Sequence, residues 1–139
     1  MTSMNETMYL IRGVAGSGKS TLAGLLCAAD DVPSFHAETD QYFMVSGKYE
    51  FNPERLQDAH ADCIRRVEQA MLSGRFGRVV VSNTFTRLWE LEPYMILATR
   101  LRWRYSVIHM ETRHQNDHGV PEEAVERMLA RWEPLDVNR

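Results

Sequence analysis

Cysteine is scarce in this 139-residue chain, at two residues, Cys27 and Cys63. They match no metal-ligand spacing and suggest no disulfide framework, so both read as buried thiols in a reducing compartment. A dominant charge is missing as well. Sixteen Lys and Arg against 19 Asp and Glu leave a formal net charge of −3. That excludes a global basic field of the kind that gathers nucleic acid, although a local groove needs only local Arg and Lys. No apolar run approaches the roughly 20 residues of a membrane-spanning helix. Residues 1–7 are polar and lack the apolar centre of a secretory signal. The expectation is a cytoplasmic protein with no membrane partner. Repeats, low-complexity tracts and long linkers are lacking too. What is present, 44% hydrophobic and 25% charged residues, is globular composition for one domain over residues 1–139.

Along the chain, apolar runs alternate with helical stretches, which predicts an α/β fold. Strands are expected at 8–12, 34–39, 79–81 and 104–110. A helix over 19–29 carries Leu22, Leu25 and Leu26 on one face and stops at Asp30, Asp31 and Pro33. Asn52-Pro53 has the chemistry of a helix start, and Leu56, Ala59, Cys63, Val67, Ala70 and Met71 continue it as one apolar stripe to Ser73-Gly74. Further helices are expected at 89–101 and 121–132, with a loop at 41–52 and a polar, irregular stretch at 111–119. Trp89 and Trp103 read as packing residues. The Arg-rich second half, including Arg75, Arg78, Arg87, Arg100, Arg102 and Arg104, reads mostly as solvated helix faces. A short parallel sheet with helices on both faces follows from right-handed crossovers.

Gly13-Val14-Ala15-Gly16-Ser17-Gly18-Lys19-Ser20 matches G-x-x-x-x-G-K-[ST] at every fixed position, between a strand and a helix. Glycines allow the turn that aims several amides at one anion, and the helix entered at Lys19, Ser20 and Thr21 adds its positive end. In that setting Lys19 reaches the β- and γ-phosphates of ATP and the Ser20 hydroxyl serves Mg²⁺.

An acceptor and a base belong at the carboxyl ends of the strands. Asp40 follows the second strand and is a candidate base and metal-shell carboxylate; a turn or N-cap aspartate is the equal alternative from position alone. The third strand ends in Ser82-Asn83-Thr84 with no Asp, so Asn83 and Thr84 are candidates to hold water or acceptor. Arg113 is the first candidate for a lid cation on the transferring phosphate, with His114 nearby, and His118 is the second. Tyr42 is a candidate base-stacking ring, while Phe43 and Phe51 suit the core.

These segments together resemble the polynucleotide-kinase-like P-loop kinases. GVAGSGKS at 13–20 is generic to P-loops. TDQYF at 39–43, GKYEFNPERLQDAH at 47–60, VVVSNTF at 79–85, WELEPYM at 89–95 and NDHGVPEEAVERM at 116–128 are more specific in combination. The resemblance implies an ATP- and Mg²⁺-dependent kinase in which Asp40 activates an acceptor hydroxyl and a lid Arg assists transfer. It implies a polynucleotide acceptor, DNA before RNA. Three positions depart from the phage 5′-kinase pattern. Phe43 stands where an Arg holds the acceptor's phosphate, Asn83 where the third strand ends in an acid, and His118 nearest the lid Arg. Phage kinases of 5-hydroxymethyluracil in DNA also look similar, and their acceptor is an internal alcohol on a base that must leave the stack. A nucleoside-type small-molecule kinase and a nucleotide-binding regulatory module without turnover are the alternatives.

Overall fold

Four apolar runs become the four strands of one parallel sheet. The structure, a computed structural model, describes residues 6–111 and 120–135. In chain order the strands are β1 (Thr7–Arg12), β2 (Ser34–Ala37), β3 (Met44–Val45), β4 (Lys48–Tyr49), β5 (Arg78–Asn83) and β6 (Arg104–His109). The sheet order is β2-β5-β1-β6, with Tyr9 of β1 opposite Val80 of β5 and Ser106 of β6. Strands β3 and β4 form a separate antiparallel pair.

The helices are α1 (Lys19–Ala28), α2 (Leu56–Leu72), α3 (Leu88–Leu101) and α4 (Glu122–Ala130). Their layers follow from handedness. The chain moves from β1 to the β2 edge through α1, then reverses direction through α2 and α3. Right-handed crossovers therefore put α1 on one face and α2 with α3 on the other. The strand residues divide accordingly, because side chains alternate across a strand. Met8, Leu10, Val79 and Val81 pack with Val67, Leu91 and Leu97. Ile11 and Val80 pack instead with Ala23, Leu22 and Leu26 of α1. Val79, Val80 and Val81 are fully buried, and each gains about 1.5–3 kcal/mol from leaving water.

Helix α2 begins as expected from its cap. Asn52 Oδ1 accepts the Glu54 N–H at 3.0 Å, and a 3-10 turn over Pro53–Arg55 leads into the helix. Five of the six stripe residues are buried, but Leu56 is 38% exposed. Trp103 packs in the core as read, whereas Trp89 is 61% exposed on the outer side of the first turn of α3. Arg78 is also not a solvated residue. Its side chain is only 11% exposed, and Nη1 donates to the carbonyls of Leu26 and, at 2.9 Å, Ala29. It thus adds a donor to the carbonyls at the end of α1, where that of Leu26 also accepts the Ala29 N–H.

The loop expected at 41–52 holds more structure than a loop. Thr39–Phe43 is a 3-10 turn, and Ser46 and Gly47, both with positive φ (51° and 81°), form the two-residue turn between β3 and β4. Strand β2 ends at Ala37, short of the expected Thr39. The backbone beyond it is captured by side chains from outside the ladder. Arg66 Nη2 donates to the Glu38 carbonyl at 2.9 Å, and the Thr39 N–H donates to Asn83 Oδ1 at 2.7 Å.

Candidate active site

Residues following β1, β2, β5 and β6 emerge on the same edge of the sheet, where the ligands of open α/β sheets bind. Gly13–Ser20 is the turn from β1 into α1. The Gly13 N–H donates to the Thr84 carbonyl at 3.3 Å and the Ser17 N–H to the Val14 carbonyl at 3.2 Å. Gly16 and Gly18 take φ of 81° and 91°. At Gly13 a Cβ would collide with Ser17 Oγ and lie 2.8 Å from the Met110 carbonyl oxygen. Gly18 caps α1 with no side-chain hydrogen bond, leaving the positive end of the helix open to an anion beside Ser20 and Thr21.

Lys19 Nζ donates to the Val14 carbonyl at 3.0 Å. Burial lowers its pKa to about 8, against the opposing charges of Glu38 and Asp40. A phosphate in the turn would add negative charge and restore the proton affinity of Lys19.

Glu38 was passed over in the sequence. Its Oε2 accepts the Ser20 hydroxyl at 2.6 Å and the Ser82 hydroxyl at 2.9 Å, and Ser82 Oγ lies 2.6 Å from His36 Nε2. Asp40 sits one step further out, in the 3-10 turn, where its Oδ1 accepts the Tyr49 hydroxyl at 3.3 Å. Burial and the Asp40 charge push the Tyr49 hydroxyl well above its ordinary pKa, so it stays a donor. The donor set around Ser20 is all oxygen, which suits Mg²⁺. Among the described residues no three His, Cys, Asp or Glu side chains form a metal cluster of their own. An ion that keeps waters and phosphate oxygens needs none.

The remaining candidates fall out differently. Asn83 is 9% exposed, and its amide is engaged by the Thr39 N–H and, at 3.9 Å, by Cys63 Sγ. Its evident work is to hold the turn that carries Asp40. Thr84 is half-buried and braces Gly13 through its carbonyl. Tyr42 is half-buried, its hydroxyl accepting from Arg55 Nη2 at 2.7 Å and its ring edge-on to Phe43 at 5.5 Å. Phe43 is 3% exposed and in the core, as read; Phe51, stacked on Tyr49, is 51% exposed and is not. Arg113, His114 and His118 lie outside the described residues.

One further residue escaped notice. Arg12, the last of β1, is 1% exposed. Its Nε and Nη2 donate to the Phe85 carbonyl at 3.1 and 2.6 Å, and Nη2 also donates to the Glu133 carbonyl at 2.7 Å. The guanidinium lies 4.0 Å from the Trp132 ring, which stacks on His109. A cleft of about 240 Å³, lined by Val14, His109, Met110, Glu111, Leu129 and Trp132, opens beside the turn. A larger groove of about 460 Å³ lies on the outer side of α3, lined by Glu92, Met95, Ile96, Thr99 and Arg100.

The glycine turn, the helix that follows it and the parallel sheet define a P-loop kinase-like nucleotide-binding domain. The chain belongs to the family described as AAA domain, whose pattern matches residues 8–135. It is 31% identical over 136 residues to human NEDD4-binding protein 2, which covers 91% of this chain but only 8% of that protein. By fold it is similar to a chain of the Pnkp1/Rnl/Hen1 RNA repair complex, with a TM-score of 0.68 and 18% identity over 94% of this chain and 45% of that one. It is also similar to the APS kinase CysC of Mycobacterium tuberculosis in complex with AMPPNP and APS. There the TM-score is 0.56, with 17% identity over 88% of this chain and 68% of that one. No helix among the described residues is long and apolar enough to cross a membrane.

Proposed function

We propose that the chain is an ATP-dependent phosphotransferase that moves the γ-phosphate to a hydroxyl of a polynucleotide. The observation that carries this is the convergence at the phosphate turn. The Lys19 ammonium belongs to that turn, Ser20 of the same turn donates to Glu38 at 2.6 Å, and Asp40 follows two residues later. In this reading the amides of Gly13–Ser20 and the Lys19 ammonium hold the triphosphate. The cleft beside Val14 and Trp132 receives the base. Ser20, with the carboxylates beside it, holds Mg²⁺, which when bound neutralises charge on the phosphates. Asp40 accepts the proton of the acceptor hydroxyl as its oxygen attacks phosphorus, and ADP leaves. The Tyr49 hydroxyl and the Asn83–Thr39 bond keep Asp40 in place.

The resemblance in TDQYF and the fold likeness to a chain of an RNA repair complex support a polynucleotide acceptor. Phe43 supports an internal alcohol over a phosphate-flanked end, because it is buried where the resemblance sets a phosphate-binding Arg. The hydroxymethyl group of 5-hydroxymethyluracil in DNA is such an alcohol.

Labelled ATP offered with 5′-hydroxyl DNA, the matching RNA, 5′-blocked DNA containing 5-hydroxymethyluracil, and free nucleosides tests this. Label is expected on a nucleic acid. Label confined to free nucleosides would replace the acceptor class with a small molecule. Tight nucleotide binding with no label anywhere would leave a regulatory module.

A further inference from the structure

The strand-end carboxylate missing from β5 has a substitute just beyond the end of the neighbouring strand β2. Resting on the nucleotide-binding reading above, we propose that Glu38 positions Ser20 for the metal. By holding the hydroxyl proton of Ser20, it leaves the lone pairs of Oγ facing the phosphate turn.

A serine hydroxyl has one proton, and its direction decides what the oxygen can do. If the proton faces the phosphates, Oγ is a donor and no ligand. The 2.6 Å contact from Ser20 Oγ to Glu38 Oε2 is a charge-assisted bond that fixes the proton on the carboxylate side. The same carboxylate oxygen accepts from Ser82 at 2.9 Å, and His36 Nε2 stands 2.6 Å behind Ser82. With Ser82 donating to Glu38, its oxygen accepts from the His36 Nε2–H, so the protons of both arms are directed toward the Glu38 carboxylate. The residue just after β2 is the glutamate, β5 supplies the serine behind it, and α1 the serine in front.

The backbone of Glu38 has ties of its own, besides the part its side chain takes in the capping box with Gln41. Its N–H donates to Gln41 Oε1 at 3.0 Å, and its carbonyl accepts from Arg66. Those two backbone ties remain when the side-chain tip is changed. Asp40, two residues on, is directed to the hairpin through Tyr49. Glu38 is thus tied to Ser20, and Asp40 to the hairpin.

Calorimetric titration of AMPPNP with and without Mg²⁺ tests this with no turnover involved. In the wild type, Mg²⁺ is expected to tighten binding. In Glu38→Gln the Mg²⁺ enhancement should fall by about tenfold or more, as for other loss of support to a metal ligand, and the metal-free affinity should not fall, because a negative charge beside the triphosphate is removed. Ser20→Ala, a change at an exposed residue, should give the same loss, and the double variant little more than either single one. Full Mg²⁺ enhancement in Glu38→Gln or in Ser20→Ala would overturn the assignment and leave the nucleotide site standing. A wild-type protein whose nucleotide binding ignores Mg²⁺ would overturn it as well. A wild type that binds no nucleotide under either condition would sink the nucleotide-binding reading and this inference together.

Discussion

The two halves of the site are built differently. The phosphate half is tied to the core. Gly13 is hydrogen-bonded to β5's exit, Ser17 is fully buried, and Arg12 just before the turn is locked by two carbonyls. The acceptor half is a 3-10 turn and a two-strand hairpin with Met44, Val45 and Phe51 about half exposed, joined to Asp40 by a 3.3 Å bond. The first half needs a fixed anion cradle, since amide geometry determines its strength. The second exposes more of its apolar side chains, and one of the departures from the pattern this chain resembles, Phe43, lies in it.

That contrast can be broken from either side. Lys19→Ala should remove phosphoryl transfer, by about a thousandfold or more as when a transition-state cation is lost, and weaken nucleotide binding. Single-turnover assays would show it. Asp40→Asn should slow transfer by about 10²–10⁴-fold while calorimetry finds nucleotide affinity unchanged within about twofold; equal rates would refute the base assignment. Arg12→Leu strands the carbonyls of Phe85 and Glu133 and should cost about 3 kcal/mol in denaturant unfolding, the largest stability loss of these substitutions. Gly47→Ala forces a Cβ onto a φ of 81° and should cost about 1 kcal/mol, raising KM for the acceptor and leaving that for ATP alone.

The smallest effect is in pH. Lys19 in the free protein titrates near 8, and bound phosphate raises that value. Above pH 8 the free protein has lost the proton and the complex has not, so binding takes up as much as one proton and affinity falls with rising pH. Titrations in buffers of different ionisation enthalpy should show uptake at pH 9 and almost none at pH 6.5. Equal uptake at both would mean that Lys19 is not the group involved.

The fold was largely legible. Apolar runs gave four strands, and reversal of the crossover direction put helices on both faces. The phosphate turn was legible because its residues are contiguous. The rest of the site was not, because its contacts join distant positions. Ser20 meets Glu38 across 18 residues, and Glu38 meets Ser82 across 44. Nothing in periodicity marks Glu38, which stands beside the more familiar Asp40. Arg12 sits in an apolar run and gives no sign that its partners are 73 and 121 residues away. The hairpin strands are too short for an alternating pattern, yet Ser46-Gly47 was a usable turn signal.

Trp132 gives this molecule an optical reporter without added dye. Its indole lies under the Arg12 guanidinium and lines the cleft at Val14. The other two indoles sit elsewhere, Trp103 in the interior and Trp89 in solvent. A ligand entering beside the turn should therefore change emission from one fluorophore, with Trp132→Phe as its blank.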